Sequence, residues 1–121
     1  MEIKRKGEVM QLLVLILKNI EMMEDIIKQL AEEGISGGTI LDGSGMAGAL
    51  LNMEDLPLFG MLRRILVDEE KVACKVMMFV LKDERVMTTR ETIKKVVGDF
   101  SVPNTGIMFS IPITYVEGLG E

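Results

Sequence analysis

The sequence predicts one α+β domain made of two successive strand–helix–strand units. Three observations predict it. The chain has 121 residues, which is the size of a single domain. Two stretches carry apolar residues at the spacing of an amphipathic helix, and each lies between short apolar runs that are typical of strands.

The first unit begins with the apolar run at 12–17, which is typical of a buried strand. A helix is expected at 21–33, with Asn19 as its N-cap and Gly34 just past its end. Its apolar residues form two adjacent rows that predict one broad buried face. These rows are Met22, Ile26 and Leu30, and Met23, Ile27 and Ala31.

A second strand is expected at 37–42, and Gly43-Ser44-Gly45 predicts a sharp break after it. An insertion at about 43–71 then separates the two units. Asp55-Leu56-Pro57 is typical of a helix start within this insertion. The apolar residues behind it keep helical spacing: Leu58, Met61, Leu62, Ile65 and Leu66.

The second unit begins with a β-branched strand at 71–81. Asp83 is expected to cap a helix that runs to about residue 97 and stops at Gly98. Its expected buried residues are Val86, Thr89, Ile93, Val96 and Val97. A loop leads to a final strand at 107–116, in which Pro112 predicts an edge position or a bulge.

This order of elements predicts a ferredoxin-like βαββαβ sandwich, a four-stranded antiparallel sheet with two helices on one face. Residues 1–10 are expected to form a tail and 11–121 the domain. The other sheet face would be left bare, although 48% of the residues are hydrophobic. We therefore expect other copies of the chain to cover that face in a homo-oligomer.

Composition argues against several classes of function. A net charge of −5 lacks the basic footprint of a nucleic-acid binder. The longest apolar run is far too short to span a bilayer. A reducing, cytoplasmic setting is expected because the chain has one cysteine and can form no intramolecular disulfide. The single cysteine, Cys74, suits a reducing compartment and is expected to be a small buried residue.

The chain contains no histidine, which removes the commonest general base and transition-metal ligand. Ser44 therefore has no histidine partner that could activate it. We expect no catalytic residues, no metal site and no enzymatic activity.

Two glycine-rich joins are the candidates for ligand binding. The first holds Gly37-Gly38-Thr39 and Gly43-Ser44-Gly45, and the second is Pro103-Asn104-Thr105-Gly106. Glycines let backbone N–H groups approach an anion closely. Neither join has a Walker or Rossmann pattern, and the needs of turn geometry could also explain these glycines.

The passage Gly34-Ile35-Ser36-Gly37-Gly38-Thr39 resembles the first half of P-II-type nitrogen regulatory proteins. The stretch from Asn104-Thr105-Gly106-Ile107 into the last strand resembles the approach to their fourth strand. The closing Val116-Glu117-Gly118 is similar to the ending of P-II-like subgroups. The resemblance, to a divergent subgroup, covers about residues 11–119. It implies a homotrimer whose intersubunit clefts bind adenine nucleotides, with a loop that reports occupancy to a partner protein.

Carried residue by residue, the resemblance implies that Thr39 contacts the base and that Gly43, Ser44 and Gly45 form the root of the loop. The full implied ligand site is Gly38, Thr39, Gly43, Ser44 and Gly45, opposite Thr105, Gly106, Ile107 and Met108. The resemblance implies no required cofactor. The ligand would be ATP, ADP, AMP or a related molecule.

The sequence departs from the family at three places. Its only tyrosine is Tyr115, so the usual uridylylation in the loop is not expected. Ile107 replaces a typical lysine, and the arginines of the last strand are missing. Arg63 and Arg64 are then the candidate phosphate partners. A diphosphate, a monophosphate, a cyclic dinucleotide or no nucleotide stay open.

The leading hypothesis is a signalling protein that regulates an unidentified enzyme, transporter or regulator through the 46–70 insertion. Nitrogen regulation is implied by the resemblance alone. The alternative is a structural or interaction subunit without nucleotide binding, whose insertion packs permanently on a neighbour. A third hypothesis, a metal-binding trimer similar to CutA, is disfavoured by the absence of histidine.

Overall fold

The computed structural model describes residues 9–46, 49 and 73–119 of the chain. Within them, the two strand–helix–strand units follow each other as the sequence predicts. A 3-10 turn at Ile20–Met22 joins the first strand to the first helix. The elements are β1 (Met10–Leu17), α1 (Met23–Glu32), β2 (Thr39–Ser44), β3 (Ala73–Lys82), α2 (Asp83–Val97) and β4 (Gly106–Ile113).

The strands of the described residues form one antiparallel sheet in the order β2-β3-β1-β4. In β1, Leu13 lies opposite Phe79 of β3 on one side and Ser110 of β4 on the other. The two central strands are therefore β3 and β1, and the edges are β2 and β4. This confirms the predicted ferredoxin-like α+β sandwich with its four-stranded antiparallel sheet and two helices.

The core lies between the sheet and the two helices. Successive strand residues point to opposite sides, so the odd-numbered residues of β1 and β3 share the helical side. Thr89 of α2 is buried among them, as predicted, and its hydroxyl donates to the Arg85 carbonyl oxygen at 2.8 Å. The core cluster contains Leu13, Leu15, Leu17, Met77, Phe79 and Leu81 with Ile26, Leu30, Ile35, Val86 and Ile93.

The buried stripe of α1 is narrower than the sequence predicts. Ile26 and Leu30 are buried, and Met22 and Met23 pack against the core from beside them. Ile27 and Ala31, the rest of the second row, are exposed. A helix that rests on a sheet buries only the row that faces it, which periodicity alone could not select.

Neither predicted helix cap is formed by its side chain. Asn19 precedes the 3-10 turn, and its side chain makes no capping hydrogen bond. Asp83 is the first residue of α2, and Lys82 occupies the cap position. The Asp83 N–H instead donates to the Val9 carbonyl at 2.7 Å, while its carboxylate accepts from the Gln11 amide.

The strand ends also differ from the expectation. β2 continues through Gly43 and Ser44, where a break was expected, because these residues pair with Cys74 and Ala73 of β3. β4 ends at Ile113 instead of residue 116. Pairing with a neighbouring strand sets these limits, and local sequence does not reveal it.

Pro112 lies in an edge strand, as predicted. The Lys18 N–H donates to the carbonyl of Thr105, the residue opposite it, at 3.2 Å. Since directly hydrogen-bonded pairs alternate along an antiparallel ladder, Ile111 bonds to β1 and Pro112 points its backbone away. The missing N–H of Pro112 therefore interrupts no ladder bond.

The second side of the sheet carries neither helix, and we call it the open face. All four described strands contribute apolar side chains to this face. In β4, Ile107, Phe109 and Ile111 are 52%, 44% and 47% exposed. The open face comprises Leu12, Val14, Ile16, Leu41, Val76, Met78, Val80, Ile107, Phe109 and Ile111.

Several predicted features lie outside the described residues. They include the apolar stripe from Leu58 to Leu66, the candidate phosphate partners Arg63 and Arg64, and residues 1–8 of the expected tail. Among the helices that the structure describes, none is long and apolar enough to cross a membrane.

Candidate functional site between two sheet edges

Gly43-Ser44-Gly45 of the first join and the second join lie at the same end of the sheet but at opposite edges, whereas Gly37-Gly38-Thr39 lies at the other end of β2. Ser44 ends β2 beside Ala73, whereas Gly106 begins β4 beside Leu17, at the same end. Because β3 and β1 lie between them, the two edges are separated by roughly 14 Å, three strand spacings. One chain therefore does not bring the two predicted walls of the site together.

The first wall, at the β2 edge, presents exposed polar groups. Thr39 lies opposite Met78 and is exposed, with its side chain on the open face. Ser44, at the end of the strand, is also exposed, and Gly45 behind it is half-buried. Next to them the Lys75 ammonium is 2.5 Å from the Asp42 carboxylate, so this cation is already paired.

Two glycines of the first wall have a packing role that needs no ligand. A β-carbon on Gly38 would lie 2.7 Å from the Phe79 ring, and one on Gly43 would lie 2.8 Å from the Cys74 Sγ. Both distances are far below van der Waals contact. Internal packing on β3 thus requires glycine at these positions.

The second wall begins with Thr105, which is buried, and continues along β4. Gly106 has φ of +144°, and a β-carbon there would lie 2.4 Å from the Ile16 carbonyl oxygen. Packing therefore requires glycine at position 106 as well. Ile107 is exposed on the open face, whereas Met108 points to the helical side and packs against the core. Consecutive strand residues diverge, so the side chains of these two lie on opposite faces of the sheet.

An open depression of about 430 Å³ lies beside Thr105, at the end of the sheet. Asn19, Glu21, Asp99 and Asn104 contribute its polar lining. The Ser101 N–H donates to the Asp99 carboxylate at 2.9 Å. This bond, then the Ser101 side chain and, more weakly, Lys94 lower the pKa of Asp99 below its usual value. Two carboxylates make this depression unfavourable for an anion.

A second open depression, of about 490 Å³, lies between α2 and β4. We call it the β4 depression. Apolar side chains of Leu13, Phe100 and Met108 line it together with Ser110 of the edge strand. Arg90 and Lys94, one helical turn apart on α2, supply two positive charges.

Sequence reasoning missed Arg90, Phe100 and Ser110 as candidate site residues. The available signal was the placement of two cations four residues apart on one helix, at 90 and 94. Like charges at this spacing repel each other and weaken a helix. The sequence does not show which strand lies beneath that part of the helix, so the signal could not be connected to Met108.

Metal and nucleophile chemistry has little support in the described part of the chain. No group of three or more acidic, histidine or cysteine side chains that could hold a metal occurs among the described residues. Cys74 is buried with its thiol facing Gly43, which agrees with its predicted role as a small core residue. Arg90 and Lys94 are the cations that line the β4 depression together with Gly106, Ile107 and Met108 of the second wall.

No protein-family model matches the sequence, and none of the curated proteins matches it. Solved structures do resemble the fold. A PII protein from Arabidopsis thaliana, crystallised with citrate bound, is 18% identical at a TM-score of 0.60, over 89% of this chain and 80% of that one. A protein of unknown function from Pediococcus pentosaceus is 14% identical at a TM-score of 0.61, over 93% of this chain and 100% of that one. At these identities, the likeness shows a shared fold.

Proposed function

We propose that the chain is a P-II-like signalling protein that binds a small ligand between the subunits of a homotrimer. An adenine nucleotide is the first candidate for the ligand, and the 46–70 insertion is the proposed contact with a regulated protein. The observation that carries the proposal is the placement of the two predicted walls at opposite edges of one sheet. A second copy of the chain could complete such a site.

The open face supports the trimer. Its ten apolar side chains cover a whole side of the sheet, and Ile107, Phe109 and Ile111 are each about half exposed in one chain. Apolar patches of this kind mark interaction surfaces because their burial removes apolar area from water. In a ring, the β2 edge of one chain can meet the β4 edge of the next, a head-to-tail contact that closes on itself.

The ligand half of the proposal rests on the polar groups at these edges. Thr39 presents an exposed hydroxyl, and the loop before β4 places Asn104 in a left-handed conformation with φ of +66°. The structural neighbour from Arabidopsis thaliana binds citrate, a small polyanion, in its crystal structure. We propose a ligand of that general kind, anionic and small, with the nucleotides ATP, ADP and AMP tested first.

Native mass spectrometry of freshly purified protein, followed by calorimetry with ATP, ADP and AMP, tests both halves. We expect a trimer that binds one nucleotide per chain. Thr39→Ala should lose about 1 kcal/mol of affinity, the value of one hydrogen bond. Ser36→Ala, three residues earlier in an exposed loop, is the matched control and should bind as the unchanged protein does. A monomeric mass would contradict the trimer, and no heat from any nucleotide would contradict the ligand.

The second candidate is a structural subunit of the same fold that binds no nucleotide. It is favoured by one observation: Gly38, Gly43 and Gly106 each have a packing reason to be glycine. A trimer that binds none of the three nucleotides would support this candidate. Both candidates are non-enzymatic, and we propose a cytoplasmic location for either because Cys74 is a free thiol.

A further inference from the structure

Arg90 and Lys94 extend from α2 towards the outer part of β4, where neither helix covers the sheet completely. Both side chains line the β4 depression with Met108 and Ser110. Arg90 is half-buried, so the aliphatic part of its side chain contacts the protein surface, whereas Lys94 is more exposed. The two cations therefore belong to one concave surface.

The charge of Arg90 is not balanced by an acidic residue at helical contact spacing. The residues three and four positions from Arg90 are Val86, Met87, Ile93 and Lys94, and none is acidic. Glu91 lies three residues before Lys94 and four before Lys95, and both spacings allow an ion pair on a helix. The positive charge of Lys94 also helps to lower the pKa of Asp99, so Lys94 has a second acidic neighbour, whereas Arg90 has none at these helical spacings. A bound anion would relieve the remaining repulsion.

The floor and the edge of the depression add complementary chemistry. Leu13, Phe100 and Met108 supply apolar contact surface below the cations. Met108 and Ser110 have the same parity along β4 as Pro112, so their backbone N–H groups point away from β1. The surface thus combines two positive charges, outward N–H donors, a hydroxyl and an apolar floor. Such a combination fits a small organic anion with an apolar body.

We infer that Arg90 and Lys94 bind the phosphate or carboxylate group of a small organic anion in the β4 depression. The inference rests on the proposed ligand-binding function. It states that two residues of α2 bind the negatively charged group of that ligand. Gly106 and Ile107, from the second predicted wall, line the same depression. Arg90 binds the anionic group through two N–H donors, and Lys94 contributes a second positive charge.

Calorimetry with ADP, inorganic pyrophosphate and citrate tests the inference on the full chain. The double variant Arg90→Gln/Lys94→Gln should bind ADP at least tenfold more weakly than the unchanged protein, since each lost cation removes a charge-assisted hydrogen bond. Lys95→Gln, an adjacent exposed lysine outside the depression, is the control for net charge and should change affinity less than twofold. In ¹⁵N NMR spectra, added pyrophosphate should shift the amide signals of Met108 and Ser110.

A second variant covers the case in which the double variant folds poorly. Ser110→Glu leaves both cations in place but adds a negative charge to the exposed edge of the depression, and it should also weaken ADP binding. The ligand-free double variant should unfold at the same temperature as the unchanged protein or higher, because its like-charge repulsion is gone. A purely structural role for the pair would lower that temperature instead.

The outcomes separate the two proposals. ADP binding with equal affinity in the unchanged protein and in both variants would overturn the inference and leave the proposed function standing. Binding of pyrophosphate or citrate that the double variant loses, without any ADP binding, would support the anion site and overturn the nucleotide. Comparison of pyrophosphate with citrate shows whether the group is a phosphate or a carboxylate. No binding of ADP, pyrophosphate or citrate by the unchanged protein would overturn the inference, and no binding of ATP and AMP in addition would overturn the ligand half of the proposed function.

Discussion

Gly43 faces Cys74 across the β2–β3 ladder, so closely that a β-carbon on Gly43 would lie 2.8 Å from the Cys74 Sγ. The thiol of a central strand thus occupies the space that a side chain on the edge strand would need. This contact explains why a glycine is required near the exit into the insertion. It also gives Cys74 a structural role on the open face.

Gly43→Ala should lower the free energy of unfolding by about 1–2 kcal/mol, because the new methyl group must displace the thiol. Replacing Cys74 by alanine in the same chain should recover part of this loss. A urea-unfolding double-mutant cycle measures the coupling between the two changes. Gly37→Ala, where a β-carbon meets nothing within 4 Å, is the control. If the effects of the two substitutions on the free energy of unfolding were strictly additive, the contact with Cys74 would not be the cause of the loss at Gly43.

Gly106→Ala should lower the free energy of unfolding more than Gly43→Ala does. Its φ of +144° is unfavourable for alanine, and the added β-carbon would meet the Ile16 carbonyl oxygen at 2.4 Å. Backbone atoms cannot rotate away as a side chain can, so we expect a loss of roughly 3 kcal/mol in the free energy of unfolding. Gly98→Ala shares a positive φ of +90° but meets no atom within 4 Å. Gly98→Ala should lose about 1–2 kcal/mol through backbone strain alone, and equal losses at both positions would contradict the role of the contact.

Phe109→Glu should dissociate the proposed trimer. The substitution places a charge on the open face, at a side chain of the edge strand β4 that is 44% exposed in one chain. Burial of an unpaired charge between subunits is strongly unfavourable. Met87→Glu, at an equally apolar residue of α2 that is 52% exposed, should leave the mass unchanged in light-scattering measurements. Dissociation by both variants, or by neither, would argue against the open face as the interface.

Asp99 should make stability fall at low pH. Its pKa is lowered in the folded chain, chiefly by the hydrogen bond from the Ser101 N–H, so folding favours the ionised form. This contribution is fully present above about pH 4 and disappears as the pH falls through the lowered pKa. An NMR titration of the Asp99 carboxyl measures the pKa directly, and Asp99→Ala should flatten this part of the acid-unfolding profile. A pKa at or above the usual aspartate value would contradict the account.

The sequence predicted those features that depend on local periodicity. Val86, Thr89 and Ile93 recur at helical spacing, and α2 ends at Val97 as predicted, although it begins at Asp83, the residue that was expected to cap it. The prediction that Ile27 is buried was wrong, because a second apolar row looks the same in sequence whether it faces the sheet or the solvent. The continuation of β2 through Gly43 depends on its partner in β3, about thirty residues away in sequence, which no local pattern reveals.

The candidate site was harder to predict for the same reason. The resemblance named Gly38, Gly43 and Gly106, but the contacts that require these glycines involve Phe79, Cys74 and Ile16 on other strands. The opposite-edge arrangement follows from the strand order, which a list of motifs does not contain. The sequence shows the positive charges of Arg90 and Lys94, but their position beside β4 depends on how α2 lies on the sheet.

The outward-facing backbone of Pro112 has a further consequence for the colloidal behaviour of the protein. An exposed sheet edge can recruit strands from other molecules and so start aggregation. At Pro112 such an incoming strand would find no N–H donor, which leaves only the part of β4 nearer Gly106 able to pair. Pro112 therefore protects this end of the β4 edge against the addition of strands from other molecules.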